Sequence, residues 1–142
     1  MTTAVVPSEL LAEIQNFYAR QVQDMDNGRF AEFADTFMHE CEFTPMKHKP
    51  TAHGRQAIVD KLDDFAKQTF GSDEQRRHWI AMTVVDEVDV DTYDVVSYAL
   101  VTRTKAGEPP VLHFAGEIVD RLVRDGGAIK VLRRMVNSDS IA

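Results

Sequence analysis

The chain has 142 residues and a formal net charge of −7 at pH 7, which fits one globular domain whose acidic surface argues against binding to nucleic acid or anionic membranes. No apolar run reaches the roughly 20 residues of a membrane span, and the start MTTAVVPSEL lacks the features of a signal peptide. A single cysteine, Cys41, excludes an internal disulfide and a zinc site built from several thiolates, so we expect a reducing, cytoplasmic setting.

The first predicted element is an amphipathic helix from Ser8 to Asp26. Ser8 is the expected N-cap, with Pro7 just outside the helix. Spacings of three and four residues predict one buried face, made of Leu10, Leu11, Ile14, Phe17, Tyr18, Gln21, Val22 and Met25. Asn27 and Gly28 end the helix because both residue types tolerate positive φ.

Two more helices and a short strand are predicted in the first half of the chain. The second helix is expected from about Arg29 to Met38, and residues 41–46 (CEFTPM) are expected to form the strand. The third helix begins near Gly54 and stops around Phe70 and Gly71, with its charged residues facing water.

The second half of the chain has the two-residue period of β-strands. Four segments rich in β-branched and aromatic residues are separated by short turns, which force neighbouring strands to be antiparallel; they are residues 76–88, 92–104, 110–125 and 128–138. The fold class is therefore α+β: three N-terminal helices packed in a curved antiparallel sheet. We expect one domain over residues 1–142, with loose termini at 1–7 and 139–142.

Several segments carry a family resemblance that covers about Ser8 to Ser138. The stretch EIQNFYARQVQDMDNGRFAEFADTFMHECEFTP, then HGRQAIVDKL, QRRHWIAM and the VRDGG turn resemble the SnoaL-like branch of the nuclear transport factor 2-like superfamily. The resemblance implies a cone-shaped α+β barrel and a homodimer joined through the sheets. Many proteins of this branch look like accessory or tailoring components of aromatic polyketide pathways in actinobacteria, while the superfamily hosts unrelated chemistries and non-enzymes alike.

Two histidines are the candidate catalytic residues. His78 shares a strand face with Ile80, and an imidazole among apolar neighbours is suited to proton transfer near neutral pH; the alternative is a buried histidine bonded to backbone. His113 shares a face with Glu117, which lies either towards the cavity or towards solvent. Both positions look like those of the pocket histidines of scytalone dehydratase.

The remaining candidates are ligand-binding residues that would line the cone: Tyr18, Gln21, Met25, Trp79 and Met82. A buried tyrosine can instead be a core residue, and Gln21 on an apolar stripe needs a polar partner, which is either Tyr18 or a ligand. Asp24 and Asp26, at the end of the first helix, are interpreted as surface and turn residues.

The chain also departs from its characterised relatives. Thr44 stands where ketosteroid isomerase has its aspartate base, and Gln23 stands where scytalone dehydratase has an aspartate. His39, His48 and His53 match no standard zinc spacing, and the lysines beside them would repel a cation, so we expect no metal and no cofactor. One arginine each of Arg76-Arg77 and Arg133-Arg134 should face either inward or into a dimer interface, and an inward arginine would suit an acidic or phenolate ligand.

These observations favour an enzyme over two other classes of protein. The leading hypothesis is cofactor-free acid–base chemistry (dehydration, isomerisation or cyclisation) on a small hydrophobic, polyketide-type ligand, with His78 as acid/base and His113 assisting. The alternatives are a non-catalytic protein that binds a pathway intermediate, and a docking subunit like that of a ring-hydroxylating dioxygenase. The missing carboxylate base favours the binding protein.

Overall fold

The computed structural model describes residues 5–46, 49–69 and 73–140. The outermost residues of the predicted loose termini, 1–4 and 141–142, lie outside the described residues. So do His48 and the predicted end of the third helix at Phe70 and Gly71. Within the described ranges, no helix has the length and apolarity needed to cross a membrane.

The first helix, α1, spans Ser8–Asp26, the predicted bounds. Its N-cap is Pro7, without a side-chain capping bond, so the prediction that Ser8 is the cap is wrong by one residue. The side-chain amide of Asn27 donates to the backbone carbonyl oxygen of Gln23 at 2.7 Å. This bond satisfies a carbonyl group in the last turn of the helix. The chain then reverses at Gly28, whose φ is +77°.

The second helix is much shorter than predicted. Helix α2 spans Phe30–Ala34, and strand β1 already begins at Phe37 and runs to Thr44. The Thr36 hydroxyl donates to the carbonyl oxygen of Phe33 at 2.5 Å and closes the helix end. Phe37 lies three residues after Ala34, so it continues the helical spacing, yet it is buried as the first residue of β1.

The short strand β2, Ala52–His53, pairs with β1 and leads into helix α3, Arg55–Thr69. Four long strands follow at nearly the predicted positions and form an antiparallel meander: β3 (Glu74–Asp89), β4 (Thr92–Lys105), β5 (Val111–Asp125) and β6 (Ala128–Ser138).

In the described part of the chain, six strands form one curved, unclosed sheet in the order β2-β1-β6-β5-β4-β3. Strand β1 runs parallel to β6, so the sheet is mixed and the expectation of a purely antiparallel sheet is wrong in this one pair. The α+β cone is confirmed. Its core lies where the helices pack against the inner face of the sheet, around Ile14, Phe33, Phe37, Ile58, Val95, Leu122 and Val131.

Two irregularities in the strands decide which side chains face the interior. In β3 the pairing with β4 shifts between Ala81 and Val84, and Met82 has a φ of +55°. In β5 the pairing with β4 shifts so that His113 is the extra residue between Leu112 and Phe114. A bulge of this kind leaves one residue unpaired and re-aims its side chain.

Candidate functional site

The open end of the cone contains a cavity of about 820 Å³. Its walls come from the end of α1, from α2 and α3, and from the inner face of the sheet, and they are mainly apolar. The apolar lining includes Met25, Phe30, Phe33, Phe43, Ile58, Leu62, Phe65, Val101, Phe114, Ile118 and Val136. A volume of this size suits a small organic ligand rather than a peptide or a metal ion.

A histidine–aspartate pair lies in this cavity. Nδ1 of His78 lies 2.5 Å from Oδ1 of Asp26, and the His78 backbone amide donates to Oδ2 of Asp26 at 2.9 Å. The pair is largely withdrawn from water, because the side chains are 19% and 6% exposed. An ionised carboxylate can only accept, so Nδ1 of His78 carries the proton and Nε2 is the nitrogen left for a ligand.

Asp26 is therefore a site residue that sequence reasoning placed wrongly. It lies next to the Asn27-Gly28 turn, and this made it resemble an exposed turn residue. The last turn of α1 instead directs its carboxylate onto β3, 52 residues later in the chain. One signal was available: Asp26 lies three residues after Gln23, on the same side of the helix, where a carboxylate was sought.

His113 also lines the cavity, although the residues two positions before and after it on β5 face outward. The bulge at His113 puts it beside Phe114 at the edge of the cavity, where it remains exposed. Partial burial and the nearby charges of Arg76 and Arg103 lower the pKa of His113 from its ordinary value. The shift favours the neutral form of the His113 imidazole.

A cationic cluster lies on the inner face beyond His78. Arg76 and Arg103 are directly opposite each other on β3 and β4, and one terminal nitrogen of Arg103, Nη2, donates to both carboxylate oxygens of Glu74, at 2.7 and 2.9 Å. The guanidinium of Arg76 stacks over the Phe65 ring, 4.9 Å from its centroid. Burial and the charge of Arg103 lower the pKa of Arg76.

A second polar group is buried behind the cavity. Arg134 donates to both carboxylate oxygens of Asp120 at 2.9 and 2.8 Å and to Oε1 of Gln21 at 2.7 Å, and the Tyr18 hydroxyl donates to Asp120 at 2.7 Å. Burial alone would lower the pKa of Arg134, but the charge of Asp120 raises it. Burial and Asp120 together raise the pKa of Tyr18 well above the usual range.

This network changes the expected roles of two residues. Tyr18 and Gln21 are hydrogen-bonded to protein partners and do not line the cavity. Arg134, which belongs to the same network, does line it. The polar partners of Gln21 are Arg134 and Thr36, so the expectation of Tyr18 or a ligand is wrong. As expected, one arginine of each pair faces inward: Arg76 and Arg134 line the cavity.

The other ligand-binding candidates divide between the two faces of the sheet. Met25 lines the cavity. Trp79 is 56% exposed and lies on the outer face, as alternation from His78 requires. Met82 is 73% exposed, because the β3 bulge gives the inner position to Thr83, whose hydroxyl is bonded to Ser97 at 2.9 Å.

The outer face of the sheet carries a continuous apolar surface, which we call the outer apolar face. Its members are exposed and are cross-strand neighbours on β3 to β6: Trp79, Val84, Val96, Tyr98, Leu100, Val119 and Met135. Glu117 lies beside it, opposite Tyr98, and accepts from the amide of Asn137 at 3.1 Å. Glu117 is thus outside the cavity.

The remaining chemical candidates form no site. Thr44, at the position of the sought aspartate, is buried and its hydroxyl is 2.8 Å from that of Thr51. Burial raises the pKa of the free thiol of Cys41, which makes it a poor nucleophile. Across the described part of the chain, no three His, Cys, Asp or Glu residues converge as metal ligands would.

Comparison with known proteins identifies the family. The family of SnoaL-like domains matches residues 7–135, and no curated protein sequence gives a significant match. ActVI-ORFA from Streptomyces coelicolor is 32% identical over 94% of this chain and 99% of its own, with a TM-score of 0.87. Aln2 from another Streptomyces strain is 31% identical over 96% of each chain, also with a TM-score of 0.87.

A third similar structure is that of a protein from Catenulispora acidiphila, solved in complex with S-DNPA. It is 32% identical over 94% of this chain and 96% of its own, with a TM-score of 0.86. The chain belongs to the SnoaL-like family of the nuclear transport factor 2-like superfamily.

Proposed function

We propose that this protein catalyses a cofactor-free proton transfer on an aromatic polyketide-type intermediate bound in the cavity. The observation that carries the proposal is the 2.5 Å contact between Nδ1 of His78 and Asp26 within a largely apolar wall. An imidazole oriented by a carboxylate is a general base at Nε2 and, once protonated, a general acid stabilised by the same carboxylate.

A dehydration shows how one pair could serve the whole reaction. Nε2 of His78 takes a proton from a carbon next to a carbonyl group, and the electrons of that C–H bond form the new double bond. The neighbouring C–O bond breaks, and the imidazolium returns its proton to the departing hydroxide, which leaves as water. Isomerisation and ring closure require the same two proton movements and no external oxidant or reductant.

The substrate class is supported by the family and by the cavity. The resemblance of SnoaL-like proteins to polyketide tailoring components, and the similarity to ActVI-ORFA and Aln2, favour a polyketide-type intermediate. The complex of the Catenulispora acidiphila protein with S-DNPA supports ligand binding by this fold. The aromatic lining of Phe30, Phe33, Phe43, Phe65 and Phe114 suits flat, apolar rings.

The proposal is tested by deuterium exchange into 2-tetralone, a bicyclic ketone with acidic protons beside its carbonyl group. We expect the protein to accelerate exchange in D₂O by about 10²-fold or more over buffer, and His78→Gln to remove the acceleration. His39→Gln, at an exposed strand position away from the cavity, is the matched control and should leave it unchanged.

A binding protein without catalysis is the second candidate. It is favoured by the position of His113, since this second imidazole lies at the exposed edge of the cavity rather than inside it. Binding of 2-tetralone measured by calorimetry, with exchange no faster than in buffer, would support this function and contradict the enzyme. Equal exchange rates for the wild-type protein and His78→Gln would contradict the assigned base.

Two further proposals concern assembly and location. We propose that two copies associate through the outer apolar face, because a monomer seldom leaves so continuous an apolar surface in water. A reducing, cytoplasmic location is supported by the single free cysteine, Cys41.

A further inference from the structure

Arg134 is held in a fixed orientation in the inner wall of the cavity. Its side chain is 4% exposed, and that of its ion-pair partner Asp120 is fully buried. Nε and Nη2 donate to the two carboxylate oxygens of Asp120 at 2.9 and 2.8 Å, and Nη2 also donates to Oε1 of Gln21 at 2.7 Å. The guanidinium carbon lies over the rings of Phe37 and Tyr18, 5.3 and 5.8 Å from their centroids. These contacts leave the guanidinium little freedom to turn.

One nitrogen of this guanidinium, Nη1, is not used by the network. A guanidinium has five N–H donors, and the bonds to Asp120 and Gln21 use the single donor of Nε and both donors of Nη2. Within the described residues Nη1 makes no hydrogen bond, yet it is not one of the side-chain nitrogens that are enclosed without a partner. Because Arg134 lines the cavity, the two donors of Nη1 face the cavity.

The cavity wall around Arg134 is apolar. Phe43 is its direct partner on β1, Val136 follows two residues later on β6, and Ile118 is paired with Val136, and all three line the cavity. A hydrogen bond made in such surroundings is stronger than one made in water, whereas a donor left unpaired there costs free energy. This part of the cavity therefore favours a ligand that places an acceptor atom against Nη1.

We propose that Nη1 of Arg134 donates to a neutral oxygen of the ligand, so that the substrate carries a ketone or quinone carbonyl group at this point. The proposal rests on the proposed function in that the ligand occupies the same cavity. Asp120 already balances the charge of Arg134, so a ligand carboxylate here would be buried as a second anion beside one cation. A carbonyl oxygen accepts from the two donors of Nη1 without adding a charge.

Helix α1 sets the distance between this carbonyl group and the acid–base pair. Gln21 is bonded to Arg134, and Asp26 is bonded to His78. These two positions of α1 are five residues apart, which is about 7.5 Å along the helix axis at 1.5 Å per residue. The oxygen held at Arg134 is therefore remote from the carbon that His78 deprotonates, so the substrate has a second oxygen function beside the one that acidifies that carbon.

The test compares the binding of 9-fluorenone and fluorene by equilibrium dialysis. The two probes have the same three rings and differ in one carbonyl oxygen, and fluorenone has no C–H bond beside its carbonyl group for His78 to break. We expect Arg134→Lys to weaken the binding of fluorenone about tenfold and to leave that of fluorene unchanged. Lysine keeps a cation beside Asp120 but has a single nitrogen, which leaves none for the ligand. Arg133→Lys, the exposed neighbour on the opposite face, is the matched control and should change neither affinity.

A second variant covers the case in which Arg134→Lys does not fold. Arg134→Met combined with Asp120→Leu removes both buried charges, so neither is left unpaired, and it should show the same loss confined to fluorenone. An equal loss for both probes would assign Arg134 a structural role only. That result, an unchanged affinity for fluorenone in both variants, or no binding of fluorenone by the wild-type protein would each overturn the proposal. These are equilibrium affinities, so they can fail while His78-dependent exchange persists, and the reverse also holds.

Discussion

The chemistry of His78 depends on one carboxylate, and this dependence can be measured without a substrate. In Asp26→Asn only the amide oxygen can accept, and the His78 backbone amide competes for it, leaving the NH₂ group facing Nδ1. We expect neutral His78 to change from the Nδ1–H to the Nε2–H form, seen in imidazole ¹⁵N shifts at pH 8. Catalysed exchange should fall by about 10²-fold or more, since Nε2 then has no lone pair to offer.

Asp24→Asn is the matched control for this variant. Asp24 lies two residues earlier on α1 and is paired with Arg29 at 2.9 Å, away from His78. Its replacement should leave both the tautomer and the exchange rate unchanged. An Nδ1–H tautomer that persists in Asp26→Asn would show that the carboxylate does not orient the ring.

His113 reports the electrostatics of the cationic cluster. Burial and the charges of Arg76 and Arg103 lower its pKa, with Glu74 acting in the opposite direction. Removing one cation in Arg76→Gln should therefore raise the pKa of His113 towards its ordinary value near 6.5, measured by NMR titration of its ring protons. Arg77→Gln should leave the titration unchanged, and an unshifted His113 in Arg76→Gln would contradict the proposed coupling.

The lowered pKa of His113 also determines how the stability of the protein changes with pH. A histidine with a lowered pKa in the folded state binds its proton less readily than in the unfolded chain. The unfolded chain therefore takes up more protons as the pH falls below about 6.5, and stability decreases with falling pH in that range. The effect is small because His113 remains exposed to solvent.

At the level of elements, the pairing of β5 with β6 depends on a glycine. A Cβ added at Gly116 would lie 2.0 Å from the carbonyl oxygen of Asn137 and 2.8 Å from Cζ of Phe114. The backbone oxygen cannot move without disturbing the ladder, so we expect Gly116→Ala to lower the free energy of unfolding by about 3 kcal/mol in urea denaturation.

Gly126→Ala provides the comparison, because a Cβ there meets nothing within 4 Å and only the φ of +57° is unfavourable. Its cost should be about 1–2 kcal/mol. A loss in Gly116→Ala no larger than that in Gly126→Ala would show that the two strands can separate locally. In that case the wall formed by Phe114 is less rigid than the contacts indicate.

The elements themselves were largely predictable from the sequence. The apolar stripe ending at Asn27 and Gly28 gave α1 its observed bounds, and the two-residue period gave the four-strand meander. The parallel pairing of β1 with β6 was not predictable, because it joins segments almost a hundred residues apart and leaves no local signal. The predicted helix α2 was too long, because Phe37 fits the helical spacing although it is the first residue of β1.

The candidate site was predictable in part. His78 was chosen because side chains alternate between the two faces of a strand. This alternation holds over the regular part of β3, and His78 lines the cavity. Alternation failed at Met82 and His113 because each lies at a bulge, which adds a residue without a marker in the sequence. The role of Asp26 could not be read from α1 alone, since its partner lies on another element.

At the scale of the whole molecule, net charge and apolar surface have opposite effects on the association of two copies. Each copy carries a net charge of −7, so two associated copies repel each other electrostatically. The outer apolar face contributes no charge of its own and favours association by burial of apolar area. Association driven by this face should therefore become tighter as salt screens the repulsion, whereas an interface built on ion pairs would weaken.

The outer apolar face should make the protein a dimer in sedimentation equilibrium at micromolar concentration. Tyr98 and Leu100 lie on β4, between the contributions of β3 and β5, so Tyr98→Asp with Leu100→Asp would bury two unpaired carboxylates in the interface. We expect this double variant to be a monomer that still accelerates deuterium exchange into 2-tetralone, because the cavity is on the opposite side of the sheet. Val90→Asp, at a residue that is more exposed than Tyr98 or Leu100 but lies in the β3–β4 turn, should remain a dimer. A wild-type monomer, or a double variant that stays dimeric, would exclude this face as the interface.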